Sequence, residues 1–104
     1  MDRWTATNLT DAPAARTSHT AVWTGSEMII WGGECCDSGI PTNTGARYDP
    51  ASDTWTATTL VNGTGAPNPR FGHNAVWAGD QMIIYGGFSG GGSTNTGGIY
   101  RLGQ

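Results

Sequence analysis

The chain has 104 residues, among them 17 Gly and five Trp, with 12% charged residues and a formal net charge of −3. That length suits one domain, and so few charges with so many aromatics exclude a disordered chain. Five basic residues leave no electrostatic footprint for nucleic acid or an anionic membrane surface, and the longest strongly apolar run, MIIW at 28–31, is too short to span a bilayer.

Gly, Thr and Asn abound while Leu and Lys are nearly absent, a composition for strands and turns that predicts an all-β fold. The opening residues 1–8 contain no basic segment followed by an apolar stretch, so no signal peptide is visible and the compartment stays open. Within them Trp4-Thr5-Ala6-Thr7 reads as a short strand. Residues 19–24 (HTAVWT) alternate as a half-buried strand does, and 28–32 (MIIWG) suit a strand covered on both faces. Gly25 marks the turn between them, and Gly32-Gly33 ends the second strand. Residues 34–44 read as a loop, 45–49 (GARYD) as a third strand, Asp49-Pro50-Ala51-Ser52-Asp53 as a turn, and 54–59 (TWTATT) as a fourth strand.

Then the text repeats. HTAVWTGSEMIIWGG at 19–33 returns as HNAVWAGDQMIIYGG at 73–87, identical at ten of fifteen positions. Arg16 returns as Arg70, Asn43-Thr44-Gly45 as Asn95-Thr96-Gly97, Tyr48 as Tyr100, and Trp4-Thr5-Ala6-Thr7 as Trp55-Thr56-Ala57-Thr58. The period is about fifty residues, and four antiparallel strands in that length describe one propeller blade. R-x-x-H-x-A-V-W, M-I-I-W-G-G and a Tyr-Asp-Pro turn followed by Trp resemble the kelch repeat over nearly the whole chain. The resemblance implies four-stranded blades packed face to face around a channel. On it, residues 1–10 are a spare outermost strand, 16–59 a first blade, and 70–104 a second blade lacking its outermost strand.

Two blades are too few to close a ring. An open apolar face of about 500 Å² forgoes about 12 kcal/mol at about 25 cal/mol per Å², comparable with the whole stability of a small domain, about 5–15 kcal/mol. Identical copies packed head to tail remove the open faces if the rotation closes. The expected assembly is a six-bladed homotrimer, favoured over a tetramer or dimer. In it Trp4, Thr5, Ala6 and Thr7 complete a neighbour's blade beside Ile99, Tyr100 and Arg101.

Candidate binding residues are few. His19 and His73, and Arg16 and Arg70, sit at repeat positions, which favours structural roles over metal or anion binding; Asp49 is one partner considered for the arginines. Glu34 and Asp37 are the only acidic pair close together in a variable loop. Cys35-Cys36 has no counterpart in the second copy and reads as free thiols or a vicinal bond, not a metal site, for which ligands are too few. Trp23, Trp31, Trp77 and Tyr85 read as core rather than sugar platforms. Asn8-Leu9-Thr10 and Asn62-Gly63-Thr64 match the glycosylation pattern, as chance allows in so Thr-rich a chain. Gly90-Gly91-Gly92 lacks the Gly-Lys-Ser/Thr ending of a phosphate loop.

No nucleophile–base pair stands out, and neither a catalytic residue nor a cofactor is expected. Some kelch-like proteins are enzymes, but the copper site of the oxidase type has no counterpart here. The expected function is a non-enzymatic, self-assembling propeller module that binds protein or carbohydrate through its loop faces. The alternative is an enzyme or small-ligand receptor with its site at the channel mouth.

Overall fold

A computed structural model describes residues 2–35, 39–58 and 65–102. The described chain is all-β. Its strands in order are β1 (Arg16–Thr17), β2 (Thr20–Trp23), β3 (Met28–Trp31), β4 (Glu34–Cys35), β5 (Ile40–Pro41), β6 (Gly45–Asp49) and β7 (Thr54–Ala57), then β8 (Asn74–Ala78), β9 (Gln81–Tyr85), β10 (Phe88–Ser89), β11 (Gly92–Ser93) and β12 (Gly97–Arg101). They form four antiparallel sheets. The first main sheet runs β2-β3-β6-β7 and the second runs β8-β9-β12, with no strand outside β12 among the described residues.

Register follows the pleat. In the first sheet Val22, Ile29 and Arg47 stand in one row, with Thr20, Trp31 and Gly45 beside them on the same face. Trp23, Met28, Tyr48 and Trp55 occupy the other face. The second sheet repeats the arrangement, so Ala75, Trp77, Met82, Ile84 and Tyr100 share a face and Val76, Ile83, Tyr85 and Ile99 share its opposite.

The core lies between the two sheets. Ile29 and Trp31 of the first pack with Met82 and Ile84 of the second, and Val22, Ala75, Trp77 and Tyr100 close the cluster. Among the described strands MIIW is the most deeply covered, with Ile29, Ile30 and Trp31 all buried. The turn closing β6 to β7 sets Asp53 in the left-handed region at φ 54, which a short polar side chain tolerates.

One expectation needs correcting. Residues 34–44, read as a loop, carry the short strands β4 and β5, which pair with β1 and with each other. Two-residue strands have no periodicity to reveal them; they form because β1 lies alongside. Residues 4–7, expected to pair with a neighbour's blade, lie outside any strand of the single chain. Their backbone has no ladder there, and Trp4 is fully exposed.

Candidate functional site

Among the described residues no three His, Cys, Asp or Glu side chains come together in a group that could hold a metal ion. What the sequence repeat concentrates instead is contact machinery, seen once inside the chain.

That contact centres on His73. It is 5% exposed, with Nε2 2.9 Å from Thr20 Oγ1. The Thr20 hydroxyl donates in turn to the Trp31 carbonyl at 3.4 Å, so its oxygen accepts from His73 Nε2–H. Trp31 meets the imidazole edge-on, with centroids 5.2 Å apart. The approach depends on Gly32, at φ 74, where a Cβ would come within 2.5 Å of His73 Cε1. Backbone bonds reinforce it: Gly33 N–H donates to Arg70 O and Gly72 N–H to Ser18 O. Among the described residues His73 Nδ1 is buried without a partner. Burial and the Arg70 charge hold the His73 pKa below its usual value.

The arginines are tethers. Arg16 donates to the carbonyls of Ala14, Gly32 and Thr44 and to Thr44 Oγ1. Arg70 repeats the set on Asn68, Gly86 and Thr96. Neither meets Asp49, which instead accepts from Ala51 N–H. Each fork holds the end of a buried strand to the loop that leads into the next. Glu34 pairs through its backbone with Thr17 and Pro41, while Asp37 lies outside the described residues. Cys35 is disulfide-bonded, which sets aside the free-thiol reading for it; Cys36 and Asn62 are outside the described residues. Asn8 is engaged locally, its Oδ1 accepting from Thr10 N–H and its Nδ2 donating to Asp53 O.

His19, the counterpart of His73, is exposed. Of the aromatics read as core, Trp31 and Trp77 lie in it, but Trp23 and Tyr85 are more than half exposed. Trp23 stands on the uncovered face of the first sheet. Tyr85, Val76 and Ile99 stand on the uncovered face of the second. Thus most of the large exposed apolar side chains lie on the outer sides of the stack or on the segment at Trp4.

A local device in the first sheet has no equal in the second. The Tyr48 hydroxyl donates to Asp53 Oδ1 at 2.6 Å, and Tyr48 packs on Trp55 with centroids 4.9 Å apart. Asp53 also accepts from Asn8 N–H, and Trp55 Nε1 donates to Asn8 O. These bonds hold Asp53 below the usual carboxylate range and raise the Tyr48 pKa. In the second sheet Tyr100 takes Tyr48's place without such partners from a fourth strand.

The domain described as the KLHDC2/KLHL20/DRC7 Kelch-repeats domain matches residues 1–103. The chain belongs to the Kelch-repeat family. The match covers both main sheets and the exposed faces described above. The Kelch-repeat chain is also 31% identical over 75 residues, 72% of its length, to a probable serine/threonine-protein kinase of Dictyostelium discoideum. It spans only 6% of that relative.

Proposed function

We propose that this chain is a non-enzymatic, protein-binding β-propeller module that completes itself by head-to-tail association of identical copies, three copies giving six blades. The observation that carries the reading is the match between β12, an edge with no outer neighbour, and residues 2–7, a segment with no ladder. In the first sheet Tyr48 lies opposite Trp55 and Arg47 opposite Thr56. By the repeat, the same register sets Tyr100 opposite Trp4 and Ile99 opposite Thr5 of a second copy. It also brings Asp2, which stands in Asp53's place, to the Tyr100 hydroxyl. A strand added there satisfies an edge that otherwise invites non-specific pairing. Ile40 and Phe88, exposed on β5 and β10, give the loops apolar contact area suited to a protein ligand.

The test is the mass in solution by light scattering or native mass spectrometry. Three chains are expected, and removal of residues 2–7 should lower the assembled fraction at least tenfold. A single-chain mass at all concentrations would refute the reading. A glycan array separates carbohydrate from protein binding at the loops.

A further inference from the structure

The contact around His73 exists once in the chain, yet both of its halves occur twice. Gly32, Trp31 and Thr20 receive the imidazole; their counterparts, 54 residues on, are Gly86, Tyr85 and Asn74. Over Gly32 the receiving space is filled, whereas a Cβ on Gly86 would meet only Thr94 O, at 3.8 Å, among the described residues. Gly86 is held in the same left-handed conformation, φ 77 against 74, and its carbonyl is fixed by Arg70 as that of Gly32 is by Arg16. The receiving site is therefore built and empty. Its aromatic wall shows the vacancy: Trp31 is 5% exposed and Tyr85 57%. The backbone agrees, since Gly33 N–H finds Arg70 O but Gly87 N–H finds no counterpart acceptor among the described residues.

At the opposite end of the chain His19 is exposed on the first sheet, in the conformational setting of His73. Ser18 before it and Gly72 before His73 share a positive φ, 59 and 68.

We infer that the Gly86–Tyr85–Asn74 site is a docking site for His19 of a second copy. Its imidazole lies over Gly86 and edge-on to Tyr85, and the Asn74 amide oxygen takes the acceptor role of Thr20 Oγ1. Arg16 O of the incoming copy accepts from Gly87 N–H. The partner is fixed by chemistry already in the chain, because the ligand that fits this site is the segment that fits its twin. The inference rests on the proposed ring and locates its face contact, separately from the strand addition at β12.

The test uses two full-length variants, each altered at a side chain exposed in the single chain. His19→Ala removes the inserted group, and Tyr85→Arg blocks the receiving wall. Each alone should give a single-chain mass with an unchanged far-UV circular dichroism spectrum. Mixed in equal amounts they should give a two-chain mass, because one intact pair of faces remains. Tyr85→Trp, which copies the filled site, should keep the wild-type mass. Wild-type assembly together with unchanged assembly of both variants would overturn the His19 contact and leave the ring intact. A single-chain mass for the wild type would overturn both.

Discussion

His73 ties acidity to the packing of the two sheets. Its neutral form places Nε2–H on Thr20 Oγ1 and leaves Nδ1 without a partner. A second proton would put an N–H at that buried, acceptor-free position, beside Arg70. Folding thus depresses the pKa, so the unfolded chain binds the proton first. Stability is flat above the unfolded value of about 6.5 and falls as pH drops below it, by up to about 1.4 kcal/mol per pH unit. Urea unfolding from pH 7.5 to 5 should show this slope, and His73→Gln should flatten it. The Glu27–Arg47 ion pair, 3.0 Å long and mostly buried, makes a second prediction. The second repeat has Gln81 and Ile99 at these places. Glu27→Gln alone strands a guanidinium and should cost about 1–3 kcal/mol. Adding Arg47→Ile should recover most of that loss, since the Gln and Ile that the second repeat carries leave no charge buried without its partner; a double-mutant cycle by denaturant melts measures it.

At the scale of strands and loops, the arginine forks decide how each inner hairpin joins its loop. Arg70 is 1% exposed and Arg16 only half-buried. Arg70→Lys leaves several carbonyls unmet and should cost about 3 kcal/mol, Arg16→Lys about 1 kcal/mol. Thermal melts of the two single variants would reverse this order if the forks were not what holds the loops. The main strands were legible in the sequence because alternation and the doubled phrase mark them. The five two-residue strands, β1, β4, β5, β10 and β11, were not, since their pairing is imposed by neighbours rather than by their own residues. The carbonyl targets of Arg16 and Arg70 were equally hidden, because a backbone acceptor leaves no letter. Trp23 and Tyr85 misled for a physical reason: their residue types announce burial, but both stand on sheet faces left uncovered in the single chain.

For the molecule as a whole, mass action supplies the decisive variable. If copies complete one another, the melting temperature should rise with protein concentration, since the folded form is the one that associates. Differential scanning calorimetry over a hundredfold range in concentration should show a rise, whereas a self-sufficient chain gives a constant value. Trp4, fully exposed in the single chain, should then show a blue-shifted emission contribution on assembly, lost in Trp4→Phe.

The stacking inside the chain has a direction. The Trp31 side of the first sheet meets the Trp77 side of the second, so the two outer faces are unlike, and in the ring proposed above one would be a plug and the other a socket. A copy with a spoiled socket still carries a working plug, and it can enter an arc that it cannot extend. In the three-copy ring proposed above, equal production of intact and spoiled copies would leave only about one ring in eight wholly intact. Such a variant would act as a chain terminator, and its effect in a cell holding both forms would be dominant.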